Sequence, residues 1–75
     1  MEPALLDILR EALANRQRKE TLERAIGKAV RRNNLDFGVY IKITSELREL
    51  AEKGQLDSEG IAKTLASENK KSSQE

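Results

Sequence analysis

The sequence predicts an all-α protein, a small bundle of three longer helices and one short C-terminal helix. Two observations support this prediction. Apolar side chains recur at intervals of three and four residues along successive stretches of the chain, the spacing that places them on one face of a helix. Residues that favour helix starts and ends separate these stretches, namely Pro3, Asp36, Gly54 and Asp57. Because 75 residues allow only one small domain, a single bundle is expected.

The first helix is predicted over residues 3–14, PALLDILREALA. Pro3 suits the first helical position, because an N–H at that position has no acceptor within the helix. The apolar residues that follow recur at helical spacing, and two neighbours widen their stripe. The stripe consists of Leu5, Leu9, Ala12 and Leu13, widened by Leu6 and Ile8.

A break or bend is predicted after this helix, near residues 15–19. The segment NRQRKET contains no apolar residue. When the helical phase is continued across it, the next apolar stripe is displaced by about a quarter turn or more from the first, so one straight helix would not bury both. A second helix is therefore predicted over residues 20–33. Its expected buried face consists of Leu22, Ala25, Ile26, Ala29 and Val30.

Residues 37–53 allow two interpretations. The alternation in FGVYIKIT is typical of a strand, which a short helix would then follow. A single helix accounts for more of the segment, because it collects the apolar residues on one face and misplaces only Ile41. We therefore predict one helix from 37 to 53, with Asp36 as its N-cap and Gly54 after its end. The predicted buried face consists of Val39, Tyr40, Ile43, Thr44, Leu47, Leu50 and Ala51.

A short last helix is predicted after Asp57, a residue that suits an N-cap. The apolar residues expected to hold it to the bundle are Ile61, Ala62 and Leu65. The final eight residues, ENKKSSQE, are polar and contain no apolar anchor. A disordered tail is therefore predicted over residues 68–75, and a single helical domain over residues 1–67.

The composition excludes several classes of chemistry. The chain contains no cysteine and no histidine, so it forms no disulfide and no metal site with thiolate or imidazole ligands. The acidic residues of the third predicted helix fall on its polar face, where a solvated surface is expected. Lys42 and Ser45 have a spacing that a Ser–Lys pair could use, but no oxyanion site accompanies them. We predict that the protein is not an enzyme and has no catalytic residue, metal, cofactor or small-molecule substrate.

The N-terminal region has none of the features of a targeting segment. MEPALLDILREAL lacks the basic start and the apolar block of a signal peptide. No apolar run approaches the ~18 residues that a membrane-spanning helix needs. The absence of cysteine is compatible with a reducing compartment. The sequence predicts a soluble, cytoplasmic protein without a membrane partner.

The clearest functional signal is the basic segment, residues 16–32. It holds seven cationic and two acidic residues, a balance of +5 in a chain whose net charge is +1. Such a segment can bind a polyanion or an acidic protein surface. It can also be a solvated helical face whose last cations favour the negative end of the helix dipole. The candidate binding residues are Arg24, Lys28 and Arg31 on one exposed face, Arg32 at its edge, and Arg16, Arg18 and Lys19 in the preceding connector.

Two functional hypotheses follow from this segment. The first, which we favour, is a self-associating helical adaptor or regulator that binds another protein, for example through an acidic surface. The alternative is a DNA-binding transcriptional regulator that uses the basic second helix. Single-stranded nucleic acid is disfavoured, because base stacking needs exposed aromatic residues and Phe37 and Tyr40 are both expected in the core.

Two segments of the chain resemble a known family. TLERAIGK (21–28), followed by SELRELAEKGQLD (45–57), resembles the small helical Hha/YmoA-type modulators of nucleoid proteins. The chain lacks the C-terminal tryptophan segment and the acidic-plus-histidine signature of that family. No family is therefore assigned from the sequence.

Overall fold

Four helices make up the fold. In a computed structural model, residues 1–54 and 56–73 are described, with side chains as far as residue 67. The helices are α1 (Pro3–Asn15), α2 (Leu22–Arg32), α3 (Phe37–Lys53) and α4 (Ser58–Ser73). No strand occurs within these residues. The predicted all-α bundle is confirmed.

The break between α1 and α2 lies where the sequence places it. α1 begins with Pro3 and ends at Asn15, after which Arg16 adopts an extended conformation. α2 begins after Thr21, whose hydroxyl oxygen accepts a hydrogen bond from the Arg24 N–H at 3.2 Å. This N-cap shortens the second helix by two residues relative to the predicted start at 20. The intervening connector allows α2 to fold back against α1.

A turn at Asn34 ends α2 and reverses the chain. Asn34 has a left-handed backbone with φ of 58°, a conformation that asparagine adopts more readily than most residues. Its N–H donates to the Arg31 carbonyl at 3.0 Å, and the Leu35 N–H donates to the Val30 carbonyl at 3.1 Å. These two bonds form a Schellman motif, which satisfies the last carbonyl groups of α2. The motif brings Leu35 back beside the end of α2.

α3 has the boundaries that the sequence predicts. The Asp36 carboxylate accepts a hydrogen bond from the Gly38 N–H at 2.9 Å, and the helix ends before Gly54. Ile43 is fully buried, whereas Ile41 is 48% exposed. Residues two apart share a face in a strand but not in a helix, so the alternative strand interpretation is wrong.

α4 starts as predicted but extends further. The Asp57 carboxylate accepts a hydrogen bond from the Gly60 N–H at 2.9 Å. The helix continues to Ser73, six residues beyond the predicted end at 67, so it is not short. The added residues 68–73 include Glu and Lys, which have good helix propensity, and contain no proline or glycine. The predicted disordered tail, residues 68–75, stays a prediction, because the side chains of these residues and the backbone of 74 and 75 lie outside the described part of the chain.

The core forms where α1, α2 and α3 meet, and among the described side chains of α4 only Ala62 is buried in it. Two expectations about it are wrong. Phe37 is 67% exposed instead of buried, because its ring, at the first position of α3, stacks on Tyr40 outside the core. Leu50 is 38% exposed. The buried apolar residues are Leu5, Ile8, Leu9, Ala12, Leu22, Ala25, Ile26, Ala29, Val30, Ile43, Leu47 and Ala62.

We expect Gly27→Ala to stabilise the protein by up to about 1 kcal/mol, the helix-propensity difference between the two residues. A Cβ on Gly27 would lie 3.8 Å from the Tyr40 ring, an ordinary van der Waals distance. Urea unfolding followed by circular dichroism measures the change. Gly38→Ala is the contrasting variant, because its Cβ would lie 2.8 Å from the capping Asp36 oxygen and should weaken the cap. A loss of stability in Gly27→Ala would contradict the expectation.

Candidate interaction groove between α2 and α3

An open groove of about 940 Å³ lies between the exposed side of α2 and the first turn of α3. One side carries cationic residues and the other carries apolar ones, and both come from segments that are adjacent in sequence. We call this feature the α2–α3 groove. It is lined by Lys19, Thr21, Glu23, Arg24, Gly27, Lys28, Val30, Arg31, Leu35, Phe37 and Tyr40.

The apolar side of the groove is built around an aromatic pair. The rings of Phe37 and Tyr40 are stacked, with centroids 5.1 Å apart and an angle of 23° between the ring planes. Tyr40 is half-buried and packs against the core, while Phe37 is 67% exposed. Leu35, placed here by the Asn34 turn, is 41% exposed.

This exposed apolar surface continues along α3 beyond the groove. Ile41 follows Phe37 by one helical turn, so the two side chains are neighbours on the helix surface. Ile41 is 48% exposed. We call Leu35, Phe37 and Ile41 the apolar rim. A contiguous exposed patch of this kind is more informative than single exposed apolar residues, because such patches often mark interaction surfaces.

On the cationic side of the groove, Glu20 is engaged by two of the cations. Its side chain is 4% exposed, and its carboxylate lies 2.5 Å from the Lys28 ammonium and 3.7 Å from Arg24 Nε. It also accepts a hydrogen bond from the Gln17 N–H at 3.2 Å. The Lys28 and Gln17 contacts hold the pKa of Glu20 below its usual range. Glu20 was not among the binding residues predicted from the sequence, although its four-residue separation from Arg24 is a signal for an ion pair on a helix.

Two of the predicted binding residues pair with other helices instead of lining the groove. Arg32 lies 2.9 Å from the Glu11 carboxylate of α1, and this contact lowers the pKa of Glu11. Arg16 pairs with Glu59 of α4, which lowers the pKa of Glu59 and raises that of Arg16. These cations connect α2 and its connector to α1 and α4.

The other predicted binding residues are distributed between the groove and open surface. The structure brings Lys19, Arg24, Lys28 and Arg31 together along the groove, and it places Arg18 outside. Among the side chains that the structure describes, no carboxylate lies within salt-bridge distance of Arg18, Lys19 or Arg31. Carboxylates of the same chain thus neutralise part of the predicted cationic face.

The chain matched nothing in three comparisons with known proteins. The comparisons covered protein-family models, curated proteins and solved structures. In the described part of the chain, no helix is long and apolar enough to cross a membrane. Within the same residues, no cluster of three acidic side chains could hold a metal ion. The site is therefore interpreted from its own geometry.

Stability is expected to decline as the pH falls below about 4.3, the ordinary pKa of a glutamate in an unfolded chain. The folded-state pKa values of Glu11, Glu20 and Glu59 are all lowered. The unfolded state therefore binds protons first on acidification, and the stabilisation present at neutral pH is lost as the pH passes through the lowered values. Urea unfolding between pH 7 and pH 3 measures this loss, which 1 M salt should reduce by screening. A free energy of unfolding that stays constant over this range would contradict it.

Proposed function

We propose that this protein is a non-enzymatic adaptor or regulator that binds another protein through the α2–α3 groove. The observation that supports this function best is the stacked Phe37–Tyr40 pair exposed beside a row of cations. Aromatic residues beside arginines are typical of interface hot spots, the few residues that contribute most of the binding energy. Bound to a partner, Phe37 would lose its contact with water.

The pairing of the cations favours a protein partner over DNA. Among the described side chains, four of the seven cations in the basic segment contact carboxylates: Arg16, Arg24, Lys28 and Arg32. Binding to duplex DNA depends on cations that neutralise phosphates, and these four would have to exchange one anion for another. The aliphatic side chains of Leu35 and Ile41 beside Phe37 suit contact with apolar side chains. The DNA-binding regulator is the alternative that the experiment below tests.

The same charges favour a different chain as the partner over a second copy of this one. Small domains often associate with themselves, and the sequence predicts self-association. A symmetric contact that buried Phe37 of both copies would also bring the two rows of cations into one interface. Sedimentation velocity at low and high salt measures whether copies associate. We propose that the groove binds an acidic partner and that any self-association uses another surface.

The proposal is tested by comparing what wild-type protein and variants retain from an extract of the cells that produce it. Phe37→Ser and Arg31→Glu alter the groove. Leu56→Ser and Arg18→Glu are matched controls, because these residues are exposed and lie outside the groove. Bound proteins should be lost with the groove variants and retained with the controls. If the two groove variants retained the same proteins as wild type and the two controls, the proposal would be overturned.

A parallel measurement addresses the DNA alternative. Under that hypothesis, affinity for duplex DNA falls steeply with salt, with a log–log slope near −0.9 per phosphate contact. If such binding occurs and Arg31→Glu abolishes it, the protein is a nucleic-acid-binding regulator instead. We expect no duplex binding at about 150 mM salt, where exposed charges are screened beyond roughly 8 Å.

A further inference from the structure

We propose that the partner segment in the α2–α3 groove is an acidic amphipathic helix of about three turns, with an apolar anchor at one end. This inference rests on the proposed function and adds the chemistry of the partner. It follows from the length of the groove, the distribution of apolar and cationic residues along it, and the hydrogen bonding of the backbone in the helices that form its walls.

The groove runs along the whole of α2. Lys19 and Thr21, at one end, precede the helix, and Leu35 and Phe37, at the other end, follow it. The 11 residues of α2 rise about 16 Å at 1.5 Å per residue, which equals about three turns of a second helix lying alongside.

The two ends of the groove differ in chemistry. The end near the C-terminus of α2 is apolar and carries Leu35, Phe37 and Val30, with Arg31 beside them. The other end is polar and carries Lys19 and Thr21. A partner helix with one apolar or aromatic anchor and carboxylates along its remaining turns would match this order. A helix with apolar residues along its whole length would leave the cationic end unmatched.

The charges along the groove favour carboxylates on the partner. Lys19, Arg24, Lys28 and Arg31 line it, against the single acidic residue Glu23. Two of these lining cations, Lys28 and Arg24, already contact the carboxylate of Glu20, which does not itself line the groove. Lys19 and Arg31 contact no carboxylate among the described side chains. These two cations mark the ends at which a partner would add new ion pairs.

The walls of the groove favour a helix over an extended segment. The long wall is α2 and the opposite wall is the first turn of α3, and the backbone groups of these helices are bonded within the helix or to a capping residue. They offer no free backbone edge with which an extended strand could pair. A helix satisfies its own backbone groups and presents side chains at three- and four-residue spacing. That is the mode in which apolar grooves between helices bind partners.

The test uses a fluorescein-labelled peptide of about 13 residues, long enough for the roughly 16 Å groove with a spare residue at each end. It carries a tryptophan and a leucine one turn apart near one end and glutamates at four-residue spacing along the same face. Control peptides have the same composition in scrambled order, or lysine in place of glutamate. A single-stranded oligonucleotide of equal negative charge completes the set. Fluorescence anisotropy measures binding, and circular dichroism measures helix formation in the peptide.

We expect the patterned acidic peptide to bind and to become helical, and the lysine peptide not to bind. Phe37→Ser and Arg31→Glu should each weaken binding at least about tenfold, as expected for residues at the centre of an interface. The matched controls Leu56→Ser and Arg18→Glu should leave the affinity within about twofold, the small change typical of sites outside an interface. Circular dichroism of each protein variant confirms that it remains folded.

Four results would overturn the inference. The scrambled peptide could bind as tightly as the patterned one, which would reduce the contact to net charge. The groove variants could bind as well as wild type. The oligonucleotide could bind more tightly than the peptide and depend on Phe37, which would identify single-stranded nucleic acid as the ligand. If no peptide binds but cellular proteins are still retained through the groove, the partner chemistry is wrong and the proposed function stands.

Discussion

Ile43→Ala is expected to lower the free energy of unfolding by about 2–5 kcal/mol, and Ile41→Ala by less than about 0.5 kcal/mol. Both residues are isoleucines of α3, two positions apart. Ile43 is 0% exposed in the core, whereas Ile41 is 48% exposed. A chain of 75 residues is stable by only about 4–11 kcal/mol. The Ile43 variant should therefore lie close to the threshold of folding.

Urea unfolding of both variants, followed by helical circular dichroism, measures this difference. The pair also tests the backbone of the segment, because Ile41 and Ile43 would share one face of a strand. Similar losses in both variants would contradict the helical arrangement. A large loss in Ile41→Ala alone would show that the opposite face of α3 is buried.

Glu20→Gln is expected to have opposite effects on stability and on binding. The substitution removes the carboxylate that Lys28 and Arg24 share, while the amide oxygen can still accept the hydrogen bond from the Gln17 N–H. Stability at neutral pH should fall, and its decline at acidic pH should become smaller, because one carboxyl group with a lowered pKa is gone. Both cations then become available to an acidic ligand, so the patterned acidic peptide should bind several-fold more tightly.

Glu49→Gln is the matched control for this prediction. Glu49 is exposed, outside the groove, and its carboxylate lies 3.5 Å from Lys53 one turn along α3. The control changes the net charge by the same amount, so it separates the effect of freeing Lys28 and Arg24 from the effect of a changed net charge. It should alter neither stability nor peptide affinity appreciably, because exposed pairs on a helix contribute little. Unchanged peptide affinity in Glu20→Gln would show that Glu20 does not compete with the ligand.

The sequence predicted the helices well because their signals are local. Asp36 and Asp57 cap the helices they were expected to cap, and the polar segment 15–21 separates α1 from α2. The preference for a helix over a strand at 37–53 depended on apolar spacing and on the capping residues Asp36 and Gly54, and the exposure of Ile41 agrees with its predicted misplacement. Capping and apolar periodicity involve residues within about four positions of each other, so they can be read without knowing the fold.

The candidate site was less accessible to prediction, because it depends on partners that are distant in sequence. Arg32 meets Glu11, and Arg16 meets Glu59, across 21 and 43 residues respectively. No local pattern distinguishes these cations from Arg31, which contacts no carboxylate among the described side chains. The same holds for Phe37: an aromatic residue near an apolar stripe was expected to be buried, yet it stacks on Tyr40 at the surface, at the first position of α3.

The sequence by itself determined four helices, most of their boundaries and a concentration of positive charge in residues 16–32. Tertiary structure alone decided which of those cations pair with carboxylates. It also decided that Phe37 and Leu35 are exposed in the same groove as the other cations. The physical reason is the range of the interactions. Helix formation is governed by neighbours in the chain, whereas ion pairing and burial are governed by neighbours in space, which only the packing of the helices brings together.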